Sequence, residues 1–211
     1  MRIHPRHTSI EHKLAVVLIA VCACQAQSAQ SVSASAPTAS AKPLLLEKNE
    51  GEPRMRRAVS DAPSSSGSQP SAAVPFILKV SPKNNGSERL VVIAEELPPG
   101  ATIPKHKHLG QDEIVLIQTG TAHVWLGDEE RELHAGGRVF IPTNTWITLK
   151  NTWTEPISLV AIFSAPGFED YLRCRSVLAN EKVTSIGMEE IKDCAHEGHV
   201  TFEAMEKNPK N

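Results

Sequence analysis

The chain has no surplus of either charge. Its 211 residues carry 22 basic and 24 acidic side chains, for a formal net charge of -2, and no long basic run. An electrostatic footprint for nucleic acid is missing, so no nucleic-acid partner is expected. A membrane-spanning helix is also missing. The apolar run "LAVVLIAVCA", Leu14 to Ala23, is about half of the roughly 20 residues needed to cross a bilayer. There is no Gly-rich phosphate loop, and no serine or cysteine sits in a recognisable nucleophile setting. What is present is 40% hydrophobic residues, enough for a packed core, in a length that suits one domain with extensions.

The short apolar run follows a basic, polar start, "MRIHPRHTSIEHK", and precedes a polar tract. That order reads as an export signal over residues 1–24. Its end, "VCAC", resembles a bacterial lipobox, with Val21 and Ala23 at the third and first positions before Cys24. The resemblance implies that Cys24 becomes the lipidated first residue of the mature chain, buried acyl chains then holding it to a membrane. Gln25 follows Cys24, and no aspartate stands there to signal inner-membrane retention. The implied destination is the outer membrane of a Gram-negative bacterium, facing the periplasm. The alternative is cleavage and release as a periplasmic or secreted protein.

Residues 25–73 are rich in Ser, Ala, Pro and Gln. Such a composition buries too little surface to offset the entropy of ordering, so the segment is expected to be a flexible tether. From residue 74 to 167 the pattern changes. "FILKV", "RLVVIAEEL", "DEIVLIQTG", "TAHVWLG", "GRVFIP", "WITLKN" and "ISLVAIFS" are short runs rich in β-branched residues, divided by turn signals such as "LPPG", "HAGG" and "PTNT". This spacing predicts an all-β domain, an antiparallel sandwich or barrel. The tail, 168–211, reads as a short helical extension packed on the barrel exterior. Cys174 and Cys194 lie in its two helical segments, where an oxidising compartment permits a disulfide; the other reading is two free thiols.

One stretch carries chemistry. In a strand, residues two apart project to one side, so His106 and His108 face together, and a returning strand can bring Glu113 beside them. Two nitrogens and one oxygen suit a divalent transition metal, with coordination positions left for water or substrate. The spacing from Gly100 through His106, His108 and Glu113 to Gly120 resembles the first conserved motif of the cupins. Gly136, five residues, Pro142 and then Asn151 resemble the second. The resemblance covers roughly Ile77 to Phe163. It implies a small jelly-roll β-barrel, a metal such as Fe, Mn or Zn, and a homodimer. Cupins usually place a fourth ligand, a histidine, five residues after the motif proline, and here that position is Ile147. The metal set is therefore His106, His108 and Glu113. Gln118, His123, Trp146 and Ile147 are the candidates for lining a small-molecule pocket. Three functions stay open: a binding or sensing module, a metal-dependent oxygenase or isomerase, and a structural envelope protein. The cluster itself has two readings, a metal site or a hydrogen-bonded polar patch.

Overall fold

The computed structural model describes residues 41–60 and 75–206, all within one compact unit that spans Pro37–Asn211. The export signal, Cys24 and most of the Ser/Ala/Pro-rich tract lie outside the described residues. Along the chain run β1 (Glu52–Arg56), β2 (Ala58–Val59), β3 (Pro75–Val80), α1 (Pro82–Asn85), β4 (Val91–Leu97), β5 (Thr102–His108), β6 (Glu113–Thr119), β7 (Thr121–Leu126) and β8 (Glu129–His134). There follow β9 (Arg138–Ile141), β10 (Ile147–Asn151), β11 (Ile157–Phe163), α2 (Phe168–Cys174), β12 (Ser176–Leu178), β13 (Ser185–Ile186), α3 (Met188–Glu197), β14 (Val200–Phe202) and α4 (Glu203–Glu206).

Two antiparallel sheets form a jelly roll. One has seven strands in the order β12-β1-β3-β4-β11-β6-β9, the other five in the order β14-β5-β10-β7-β8. The inward residues alternate as strand geometry requires. Val115 and Ile117 on β6, Val139 and Ile141 on β9, and Leu159 on β11 meet Ala122, Val124, Ile147 and Leu149 of the facing sheet in one aliphatic core. Each buried aliphatic side chain of this kind stabilises the fold by about 1.5–3 kcal/mol. The turn after Pro142 needs a left-handed residue and uses Asn144, at φ 61°. The Asn144 amide donates to the carbonyl of His108 (2.7 Å), so the second motif's turn closes directly onto β5.

Two expectations from sequence are corrected. The tether read over residues 25–73 contains ordered strand: β1 pairs with β3 on one side and β12 on the other, and β2 pairs in parallel with β13. Apolar content misleads here because backbone pairing and charge hold β1. Arg54 Nη1 donates to Glu52 Oε1 (2.7 Å), and Arg173 Nη2 donates to Glu52 Oε2 (2.8 Å) and to Ser81 Oγ (2.8 Å). The second correction concerns the tail. It does not lie on the barrel exterior. Tyr171, Leu172, Ile191, Cys194, Ala195, Val200 and Phe202 join Phe76, Leu78, Val91, Ile93 and Phe163 in a second core at one end of the sandwich. Strand β14 extends the smaller sheet beside β5. Cys174 and Cys194 form a disulfide that joins α2 to α3, with Cα atoms 5.6 Å apart.

Candidate metal centre

Strand β5 alternates over its last four residues, after an irregularity in its pairing with β10 between Ile147 and Leu149. Lys105 and Lys107 point outward, and His106 and His108 point inward, at 5% and 2% exposure. Glu113 opens β6 and is equally buried. The two strands are not neighbours in one sheet, as a returning hairpin would make them. β5 pairs with β10 and β14, while β6 pairs with β11 and β9. The turn at residues 109–112 crosses from one sheet to the other, so the carboxylate reaches the imidazoles through the interior of the sandwich. Ligand atoms of all three residues lie within 4.8 Å of one another.

The protonation pattern follows from the contacts. His106 Nδ1 lies 2.7 Å from the carbonyl oxygen of Pro104. A carbonyl only accepts, so Nδ1 carries the proton and Nε2 presents its lone pair to the cluster. Burial, and then the neighbouring His108, push the His106 pKa down to about 4. The ring is neutral at neutral pH, the state a metal ligand requires. His108 Nε2 stands 3.1 Å from Glu113 Oε2, yet among the described residues neither atom has a hydrogen-bond partner, and His108 Nδ1 has none either. Buried polar atoms are normally satisfied. An imidazole nitrogen and a carboxylate oxygen that converge without bonding fit a shared cation. The donor set, two nitrogens and one oxygen, has the chemistry of a divalent transition-metal site.

The surroundings of the cluster are aromatic. The Phe168 ring lies 4.5 Å from that of His108, edge to face, and 6.3 Å from that of His106, stacked. Phe163 approaches His108 at 5.1 Å, and Phe202 approaches His106 at 5.7 Å. Sequence spacing carried no signal for Phe168 or Phe202, because both come from beyond the barrel strands.

The four expected pocket residues separate. Ile147 is inward and buried, directly across from His106 in the β10–β5 register, so an alkyl group occupies the place beside the first imidazole. The other three do not reach the cluster. Gln118 stands on the outward face of β6, exposed, where its Oε1 accepts from Ser158 Oγ (3.1 Å). It is five residues from Glu113, and an odd separation along a strand reverses the face. His123 lies on the outer face of β7, its ring 4.2 Å from that of Trp125, while Ala122 and Val124 take the inside. Trp146 precedes the inward Ile147 and so turns outward, with Lys107 Nζ 4.6 Å above its ring. It lines an outer groove of about 410 Å³ with Trp125, Thr102, Lys105, Thr148 and Lys150.

Fold and site together define a jelly roll with a buried facial trio of two histidines and a glutamate. Residues 83–163 match the family described as "Cupin domain", which supports placing this barrel in the cupin superfamily. Over 66 residues the chain is 38% identical to a mannose-1-phosphate guanylyltransferase of Salmonella muenchen, covering 31% of this chain and 14% of that protein. The chain thus spans only a small part of the length of that curated relative. Among solved structures it resembles a predicted oxalate decarboxylase of Thermotoga maritima (18% identity, 58% of this chain and 99% of that one, TM-score 0.47). It also resembles a sugar phosphate isomerase from a cupin superfamily of Silicibacter pomeroyi (18% identity, 44% and 60%, TM-score 0.40).

Proposed function

We propose that this protein is an exported cupin-domain module that binds a divalent transition metal, Fe, Mn or Zn, and acts as a binding or sensing unit for a small molecule. The observation that carries this reading is the convergence of His108 Nε2 and Glu113 Oε2, buried and without hydrogen bonds, beside a neutral His106. His106 through Nε2, His108 and Glu113 would hold the ion, and the ion would supply a Lewis-acidic anchor for an oxygen or nitrogen of the ligand. The chain's own part is orientation and exclusion of water. The Pro104 carbonyl sets the His106 tautomer, and the phenylalanine rings keep the cluster dry. Export and a lipid anchor at Cys24, supported by the sequence pattern, and a homodimer, implied by the cupin resemblance, belong to the same proposal.

A second reading is a metal-dependent oxygenase or isomerase. Three protein ligands, with Ile147 where a fourth would stand, leave positions open for substrate, as catalytic sites do and closed structural sites do not. Glu113 is occupied if it ligates. The other buried carboxylate among the described residues, Glu169, accepts from the Gly167 amide (2.6 Å) at the start of its own helix. That arrangement favours binding over general-base chemistry.

Elemental analysis of protein purified without a metal-affinity tag tests the proposal. The expected result is about one divalent ion per chain, lost in the His106→Ala/His108→Ala double variant, since each removes a donor from the trio. A wild-type protein with no ion, that also fails to take one up from micromolar Fe²⁺, Mn²⁺ or Zn²⁺, would overturn it in favour of a metal-free polar patch.

A further inference from the structure

We infer that the C-terminal extension is a redox-latched gate over the histidine pair, with Phe168 and Phe202 as its closing faces and the Cys174–Cys194 bond as its latch. The inference deepens the metal-site reading and rests on it for its purpose.

Two separate pieces of the extension touch the imidazoles. Phe168 opens α2 and lies over His108 and His106. Phe202 closes β14, which pairs along β5 with Val200 opposite His108 and Phe202 opposite His106. Both pieces are attached to α3. β14 follows it in the chain, after Gly198, and α2 is joined to it by the disulfide. Gly198 also rests against α2 so closely that a side chain there would collide with Tyr171. One covalent bond therefore joins the two arms that bring rings to the imidazoles, in addition to the core in which both arms are packed. The extension lies beyond the matched cupin residues 83–163, so the cover is an addition to the barrel. Its entry is a hinge-like turn, in which Gly167 sits at φ 139°, a conformation side chains rarely adopt, and packs against Gln111.

The two cysteines differ in burial. Cys174 is half-buried, whereas Cys194 is fully buried. A dithiol reductant opens it by ordinary exchange. One reductant thiolate attacks Cys174 Sγ, the S–S bond breaks, and Cys194 leaves as a thiolate that takes a proton. The second reductant thiolate then attacks its own sulfur in the mixed disulfide, releasing Cys174 as a second thiol. Two electrons and two protons pass to the protein, and the reductant becomes a disulfide. The aliphatic core between β6, β7, β9 and β10 contains no residue of the extension and is expected to persist through this change, whereas the second core is shared with it.

The test uses the full chain, oxidised and after treatment with a dithiol, together with Phe168→Ala and Cys174→Ser/Cys194→Ser. The first readout needs no metal: carbethoxylation of His106 and His108 by diethyl pyrocarbonate, mapped by peptide mass, with amide exchange of β7 and β9 as the record of the barrel, since their buried residues lie in the core that the extension does not enter. Opening a cross-link that closes a loop of this size is expected to raise histidine reactivity roughly tenfold or more. Phe168→Ala is expected to raise it in the oxidised protein as well. The second readout is the rate of Co²⁺ uptake in the same samples, expected to rise in parallel. Equal histidine reactivity in oxidised and reduced protein overturns the gate, as does loss of β7 and β9 protection on reduction, which would make the bond a general staple. If histidine reactivity is redox-dependent but neither form takes up Co²⁺, the gate stands and the metal reading fails. If Co²⁺ binds equally fast in both forms and reactivity is unchanged, the metal reading stands and the gate fails.

Discussion

His106 is a neutral imidazole in a place where a charged one is costly, and that has a pH signature. Its folded pKa of about 4 lies below its ordinary value of 6.5. Above pH 6.5 both folded and unfolded chains hold it neutral, and its full contribution to stability is present. Between 6.5 and 4 the unfolded chain binds the proton first, so stability falls with falling pH; below 4 the loss is complete. The gap corresponds to about 3 kcal/mol. Urea denaturation of metal-free protein at pH 7 and pH 4.5 is expected to show most of that loss, and His106→Gln should flatten the slope. An unchanged slope in the variant would place the titrating group elsewhere. The histidine pair of the candidate site was legible at this scale because residues two apart on a strand share a face. His106 and His108 share a face whatever the tertiary structure does, and the motif spacing added Glu113. Gln118 and Trp146 were read as pocket-lining candidates, and the structure turns both outward. Gln118 is an odd step from Glu113, and Trp146 an odd step from the inward Ile147.

At the scale of elements, β5 is a two-sided strand. Its inner face carries the histidines. Its outer face carries Lys105 and Lys107, which meet Glu203 (3.2 Å) and Glu206 (3.1 Å) of α4 and flank Trp146. Strand β1 shows a different logic. It is held between β3 and β12 by main-chain pairing, and Glu52 bridges Arg54 and Arg173 at its start. Burial alone would raise the Glu52 pKa, but the hydrogen bonds and charges of Arg173 and Arg54 outweigh it and hold the carboxyl below its usual value. Removing that carboxylate leaves two guanidinium groups, each 12% exposed, without their shared counter-charge. Glu52→Ala is therefore expected to cost about 3 kcal/mol, read from the chemical-denaturation midpoint. A loss under about 1 kcal/mol would mean that the pairs behave as exposed surface bridges. Nothing in "EPRMR" announces this strand. Its partners lie 20 or more residues away, and no apolar alternation marks its inner face. The tail helices were visible from their capping and apolar spacing, but the side of the barrel they cover was not.

The whole molecule joins a jelly-roll unit to an amino-terminal segment read as an export signal. In the proposed arrangement an acyl chain at Cys24 holds the domain at the outer membrane. Cys24→Ser is then expected to move the protein from the membrane fraction to the soluble periplasmic fraction, followed by immunoblot of fractionated cells. Unchanged membrane association would remove the anchor from the proposal. An oxidising compartment is also what a Cys174–Cys194 latch would need in order to be closed at rest.

The sequence by itself determined what depends on neighbours along the chain: the strand class, from β-branched runs cut by turn residues, and the pairing of His106 with His108 on one face. It also carried the motif spacing that brings Glu113 to them and puts Ile147 in the place of a fourth ligand. Tertiary structure alone decided that the carboxylate crosses between two sheets, that a charged strand joins the larger sheet, and that Phe168 and Phe202 return to close over the imidazoles. Those contacts link residues tens of positions apart, and they are chosen by which surfaces bury one another when the sheets pack. Local periodicity holds no record of that choice.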